Sequence, residues 1–139
     1  IWSSVSVGPA QAIEQARVLA EDIRGQGSEG DEAVVVVFER LDDVVADGGE
    51  FDFEALVKAC LDHEYFVIAE ADAQFFSSND GLNSRLKTSR TGVILHPEGT
   101  EGYHVFRVDV PTLDRADLPP GRGFYVSRGA VELVQVAIP

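Results

Sequence analysis

Acidic residues follow the first strongly apolar segment of the sequence. The run Ala33–Phe38 is β-branched and has no polar face, and it ends in Glu39-Arg40 with Asp42 and Asp43 close behind. Carboxylates at the end of a buried strand can hold the shell of a magnesium ion and polarise an attacking water in phosphoryl transfer. Glu39 can take the metal-associated place, whereas Arg40 stands where the second acid is needed. The segment therefore predicts a degenerate hydrolytic site.

The sequence contains no phosphate-binding loop. The pattern G-x-x-x-x-G-K-[ST] follows a strand and surrounds phosphate with backbone N–H groups and a lysine. Gly25 and Gly30 have the required glycine spacing, but Asp31 and Glu32 come next and would repel phosphate. This stretch also follows a predicted helix, so we interpret it as a polar linker. We expect no cofactor to bind to this chain by itself.

Histidine and cysteine predict no further site. His63, His96 and His104 are far apart in the sequence and do not match the short recurring spacings of zinc ligands, so no metal site is expected. Cys60 lies on the apolar side of a predicted helix, where a thiol packs as a small hydrophobic group. A single cysteine can form no internal disulfide, which fits a reducing compartment.

Helical periodicity marks two main segments. Residues 9–24 follow Gly8-Pro9 and carry apolar side chains at spacings of three and four. Residues 52–62 have a similar apolar side, and Asp52 is a suitable N-cap. A short helical stretch is predicted over residues 82–89.

Three segments without a polar face predict buried strands. Residues 33–38, 65–69 and 92–95 have the pattern of strands covered on both sides in a parallel sheet. With the predicted helices they favour an α/β fold, a three-layer sandwich built on a right-handed βαβ unit. Residues 103–108 and 124–138 alternate in part and predict terminal antiparallel strands or hairpins. The alternative is a β-rich domain with peripheral helices.

The charge balance excludes several partners. The 139 residues include 24 acidic and 11 basic side chains, a net charge of −13. Such a surface repels phosphate backbones and anionic membranes, so no nucleic acid and no direct membrane insertion are expected. The basic cluster of Arg85, Lys87 and Arg90 is interpreted as a solvated helix face. Because the sequence begins at Ile1 and has no methionine, we expect it to be an excerpt of a longer protein.

Three motifs in the last third of the sequence occur in a familiar order. The first resembles the "SR-x-G-(L/V)-L-L-x-P" strand of the FtsK/SpoIIIE superfamily of hexameric motor ATPases, and the other two are similar to its "PPGRG…VQVA" ending. The residues that carry the likeness are Ser89, Arg90, Thr91, Gly92 and the strand to Pro97, then Pro119 to Phe124 with Gly121, Arg122 and Gly123, and finally Val134 to Ala137.

The resemblance covers residues 33–138 and is closest to the EccC-type ATPases of type VII secretion and related actinobacterial proteins. It implies that residues 1–139 are the C-terminal part of one RecA-like P-loop domain with a terminal β-hairpin, its Walker A portion absent. The strand ending in Glu39-Arg40 would then be a degenerate Walker B strand. ATP and magnesium are the cofactors that the resemblance implies for the parent family.

The favoured hypothesis is an ATPase-like domain that does not hydrolyse ATP and acts in substrate recognition or regulation of protein export. The resemblance implies that such a domain docks the C-terminal signal of a secreted helical hairpin and contacts neighbouring ATPase domains. It also implies a place on the cytoplasmic side of a membrane-tethered parent protein. The alternatives are an active motor ATPase truncated before its Walker A motif and an FtsK-like DNA translocase.

Overall fold

The chain is mixed α/β and divides into two compact units. Unit 1 comprises Ile1–Asp72 and Asp80–Leu86, and unit 2 comprises Ala73–Asn79 and Lys87–Pro139. The computed structural model describes residues 3–25, 34–97, 99–111, 113–114 and 117–137. The predicted polar linker lies outside the described residues apart from Gly25, as does Ala33 at the start of the first predicted strand.

The helices of unit 1 pack around one apolar cluster. α1 (Pro9–Gly25) packs against α3 (Glu50–Asp62), and α3 also contacts α4 (Gly81–Leu86). Both long helices were predicted from periodicity, and that prediction is confirmed. The buried apolar side chains of these helices are Ala16, Ala20, Ile23, Phe53, Leu56, Val57, Ala59, Cys60 and Leu82.

The start of α3 differs from the prediction. The short helix α2 (Leu41–Val44) continues through a wide turn, Val45–Gly49, directly into α3, with a kink at Gly48, where φ is 98°. Asp52 therefore lies inside the first turn of α3, and its predicted role as N-cap is wrong. Its carboxylate Oδ1 instead lies 3.7 Å from Nε of Arg17 on α1.

A parallel two-stranded sheet completes unit 1. β1 (Val35–Phe38) pairs with β2 (Phe66–Ala69), so the predicted parallel pair is confirmed. The inner face rests on α3, where the rings of Phe38 and Phe53 meet edge to face at 5.3 Å. Residues on the opposite face are exposed. The prediction that both faces are buried is therefore wrong, and the described residues of unit 1 supply one helical layer instead of two.

Unit 2 contains an antiparallel sheet in the order β3-β4-β5. β3 (Gly92–Leu95), predicted to join the parallel core sheet, pairs instead with β4 (Arg122–Ser127). β4 and β5 (Ala130–Gln135) form the predicted terminal hairpin. The prediction of a single sheet containing all three apolar segments is therefore wrong, because β3 forms its backbone hydrogen bonds with the C-terminal hairpin.

The core of unit 2 lies under this sheet. Ile94, Phe124 and Val126 are buried together with Phe106 of α5 (Glu101–Phe106). The prediction of a strand over 103–108 is wrong, because a helical turn carries Phe106 into this core. Partly buried residues packed around these four are Val105, Val108, Val110, Leu113 and Val131.

Candidate functional site

The carboxyl ends of β1 and β2 meet in unit 1. The backbone N–H of Glu70 donates to the carbonyl of Phe38 at 2.9 Å, and the carbonyl of Glu70 accepts from the N–H of Leu41 at 2.9 Å. The Glu70 carboxylate Oε2 accepts from the backbone N–H of Arg40 at 2.7 Å. Glu70 thus fixes the chain where it leaves β1 and enters α2, beside the predicted residue Glu39.

Arg40 is fixed in an uncommon conformation at this strand end. Its φ and ψ are 51° and 54°, in the left-handed region that non-glycine residues rarely occupy. Its guanidinium forms an ion pair with the Asp43 carboxylate three residues later. A guanidinium stays protonated at physiological pH and cannot accept a proton from water. Arg40 itself therefore cannot act as a general base.

Glu70 was missed by the sequence reasoning. The signal that could have found it is the shared ending of the two apolar strands, since Glu39 follows Phe38 and Glu70 follows Ala69. Phe38 and Ala69 are register partners in the parallel pair. Both glutamates therefore leave the sheet at the same edge, as parallel strand ends do.

The first motif forms a compact turn before β3. The Ser89 hydroxyl accepts from the Thr91 backbone N–H at 3.3 Å, and the Thr91 hydroxyl donates to the Ser89 carbonyl at 3.1 Å. Arg90 between them has a φ of 48°. Gly92 lies over the Phe106 ring, whose Cε1 would be 3.0 Å from an added Cβ. These contacts explain the motif as a hydrogen-bonded turn followed by a glycine that packs closely against the Phe106 ring.

The second motif begins β4 and requires glycine at two positions. Gly121 has a φ of 79°, and a Cβ there would collide with the carbonyl oxygen of Val136. At Gly123 a Cβ would collide with the carbonyl oxygen of Ile94 on β3. Arg122 between them is half-buried and pairs in register with Gln135 of β5. Close approach of three strands thus explains the G-R-G pattern.

The three motifs contact one another in unit 2. Nε2 of His96, near the end of the first motif, lies 3.3 Å from the carbonyl of Pro119. The side-chain amide of Gln135, in the third motif, donates to the Pro120 carbonyl at 3.0 Å. The backbone N–H of Val136 donates to Gly121 at 2.7 Å. The motifs therefore build one sheet end together.

The two predicted arginines of these motifs lie at opposite ends of β3. Arg90 precedes Gly92, whereas Arg122 precedes Gly123, the register partner of Leu95. Gly92 and Leu95 are three residue steps apart along β3, about 10 Å at the usual rise. Arg90 and Arg122 thus flank different strand ends and do not converge on one anion.

The members of the predicted basic cluster make separate local contacts. Nε of Arg85, in unit 1, lies 3.2 Å from Oε1 of Glu54. Nζ of Lys87, in unit 2, donates to the carbonyls of Phe76 and Ser78 at 2.9 and 2.6 Å. Arg90 is exposed. Two of the three cations thus stabilise local structure, which corrects their interpretation as a solvated helix face.

Cys60 is in the core, as predicted. Its side chain is fully buried, and desolvation raises the pKa of the thiol to about 11, while a hydrogen bond with its own backbone lowers it slightly. A thiol with this pKa is almost entirely protonated near neutral pH and is a poor nucleophile. In the described part of the chain, no three His, Cys, Asp or Glu side chains converge as metal ligands.

The exposed side of the parallel sheet is an apolar surface that the sequence reasoning missed. Val35 pairs with Phe66 and Val37 with Ile68, and all four side chains lie on one face. Their exposed fractions are 48%, 67%, 36% and 56%, respectively. We call these four residues the β1–β2 outer face. No sequence signal distinguishes it, because both faces of each strand are apolar.

Among the residues that the structure describes, no helix is both long enough and apolar enough to cross a membrane. Comparison of the whole chain with protein-family models, with curated proteins and with solved structures found no match.

Proposed function

We propose that this chain is a degenerate, non-hydrolysing ATPase-like domain of a type VII secretion motor, similar to EccC, and that it recognises or regulates exported protein. It would represent the C-terminal part of a RecA-like P-loop domain. Its partners would be secreted helical hairpins and neighbouring ATPase domains of the parent. The parent would be tethered to a membrane, with this domain on the cytoplasmic side.

The geometry of Arg40 carries the proposal. A hydrolytic strand end needs an acceptor for a proton from the attacking water, and the family resemblance aligns Arg40, a cation, with that acceptor. Glu70 holds the Arg40 backbone and Asp43 pairs with its guanidinium. The backbone of Arg40 is therefore held at the strand end while its side chain is mostly exposed, which supports a role other than hydrolysis.

The mutual contacts of the three motifs support the family assignment within this proposal. His96, Gln135 and Val136 all contact the Pro119–Gly121 segment, so the three motifs lie together at one end of the antiparallel sheet. Gly121 and Gly123 are explained by the same close contacts, because a side chain at either position would collide with a backbone carbonyl. The family pattern thus describes a framework, consistent with a domain that keeps its fold without its catalysis.

The proposal is tested with a synthetic peptide from the C-terminal segment of a secreted helical hairpin. We expect saturable binding of the labelled peptide to the chain by fluorescence anisotropy, unchanged by about 1 mM MgATP. A scrambled peptide of identical composition is the control and should not bind. Equal binding of both peptides, or no binding of either, would contradict the recognition role.

A further inference from the structure

We propose that the β1–β2 outer face is a docking site for an amphipathic helix of a partner protein, with an apolar stripe flanked by lysine or arginine. The inference rests on the proposed role in recognition and adds the place and the chemistry of the recognised segment.

The apolar content of the face is unusual for an exposed surface. Parallel strands occur almost only in sheets whose two faces are both covered. Here α3 covers the inner face, while Phe66 and Ile68 on the outer face expose more than half of their surface. A contiguous exposed apolar patch on a folded domain commonly marks an interaction site.

A helix is the element that fits this face. Helices are what cover parallel sheets in α/β proteins. Alternate residues on a strand, such as Val35 and Val37, are about 6.6 Å apart, and residues i and i+4 of a helix are about 6 Å apart. A helix lying along the strands can therefore place one apolar side chain beside each cross-strand pair.

The surrounding charge selects a cationic partner. Glu64 precedes β2, and Glu39 and Glu70 follow the two strands, and all three residues are exposed. Residues 34–39 and 64–72 contain no lysine or arginine. Arg40, the next residue after Glu39, is paired with Asp43. The apolar face is thus bracketed by carboxylates at both ends, which favours cations on the flanks of the bound helix.

Two designed peptides form the test. Both are 14-residue helices with leucine at positions i, i+3, i+4 and i+7, and one carries lysine on its flanks where its twin carries glutamate. Binding to the full 139-residue chain is measured by fluorescence anisotropy. We expect the lysine peptide to bind at least tenfold more tightly than its twin. Equal affinities, or no binding by the lysine peptide, would overturn the inference.

Matched variants locate the binding site. Phe66→Thr and Ile68→Thr each place a polar β-branched residue, which is suited to a strand, at an exposed position and should weaken binding of the lysine peptide at least tenfold. Leu133→Thr changes an equally exposed leucine of β5 in unit 2 and should leave affinity within twofold. Thermal unfolding of each variant establishes that it is folded. Loss of binding in Leu133→Thr, or retention in both face variants, would place the peptide elsewhere and overturn the inference.

The charge contribution is measured separately with Glu39→Gln and Glu64→Gln. Each substitution should weaken binding of the lysine peptide severalfold and should not weaken binding of the glutamate peptide. Sedimentation of the chain at assay concentration should show a monomer. A dimer that Phe66→Thr dissociates would show that a second copy covers the face, which contradicts the inference.

This design separates the two proposals. If the export-signal peptide binds but is insensitive to Phe66→Thr and Ile68→Thr, the recognition role stands and the docking site is wrong. If the lysine helix binds the face and the export-signal peptide does not bind, the docking site stands and the secretion role is wrong.

Discussion

At the scale of single residues, burial of Cys60 makes folding sensitive to alkaline pH. The thiol ionises near pH 9.0 when unperturbed, and burial raises its pKa to about 11 in the folded chain. Well below pH 9 both states are protonated and the full stability is retained. Between pH 9 and 11 the unfolded state loses the proton first, so the free energy of unfolding should fall, by about 2 kcal/mol at pH 11.

The matched variant is Cys60→Ala, which removes the titrating group. We expect the free energy of unfolding of the native chain, measured in urea at pH 8 and pH 11, to decrease more than that of the variant. Parallel pH profiles for the two proteins would show that the thiol does not have a raised pKa.

Gly123 is a second position where one residue type is required. An added Cβ would overlap the carbonyl oxygen of Ile94, so Gly123→Ala should force β3 and β4 apart and destabilise the fold by about 1–3 kcal/mol. Gly25→Ala is the control, because no atom lies within 4 Å of its added Cβ. Urea denaturation of both variants measures the difference. A Gly123→Ala protein as stable as the control would contradict the close approach of the strands.

At the scale of elements, the C-terminal hairpin has a turn that its sequence does not optimise. Arg128 and Gly129 connect β4 to β5 with φ angles of 51° and 86°. A two-residue turn with both φ angles positive favours Asn-Gly. Arg128→Asn should therefore stabilise the chain by about 0.5–1 kcal/mol, and Arg128→Val should destabilise it. Thermal unfolding measures both, and the same sign for both variants would contradict this turn geometry.

The elements that local patterns define were predictable from the sequence. The spacing of Ile13, Ala16, Ala20 and Ile23 defines α1, because those side chains must share one buried side of a helix. β1 and β2 are linked through a helical segment, which favours their parallel pairing. The terminal hairpin likewise depends on a turn at Gly129. In each case, residues close together in the sequence determine the element, so the sequence alone predicts it.

The elements that depend on distant partners were not predictable. β3 has the same composition as β1, and only its pairing with β4, nearly 30 residues later, places it in another sheet. Tyr103 and Val105 alternate with polar residues as in a strand, yet burial of Phe106 favours a helix. The outer face of β1 and β2 was missed because Val35 and Val36 are chemically identical and differ only in what covers them.

At the scale of the whole molecule, charge decides between protein and nucleic acid as partner. The net charge is −13, and the members of the predicted cationic cluster make separate local contacts, with Arg85 paired to Glu54 and Lys87 bonded to two backbone carbonyls. Neutralising phosphates requires clustered cations that are free to contact them. Arg85 and Lys87 are engaged in these local contacts, so they are weaker candidates for binding phosphate than the sequence suggested.

We therefore expect no measurable duplex DNA binding at about 0.15 M salt, where the Debye length is about 8 Å. An anisotropy titration with labelled duplex DNA tests this. Micromolar, salt-sensitive binding that is lost when Arg85, Lys87 and Arg90 are replaced by glutamine would favour the DNA translocase alternative instead.

We propose that this chain does not bind nucleotide, and titration with MgATP tests this most directly. Isothermal titration calorimetry of the 139-residue chain at up to about 1 mM MgATP should give no saturable heat, because the sequence has no phosphate-binding loop and Arg40 stands beside Glu39. Stoichiometric binding in the micromolar range, reduced by Glu39→Gln, would contradict the account and favour an active ATPase.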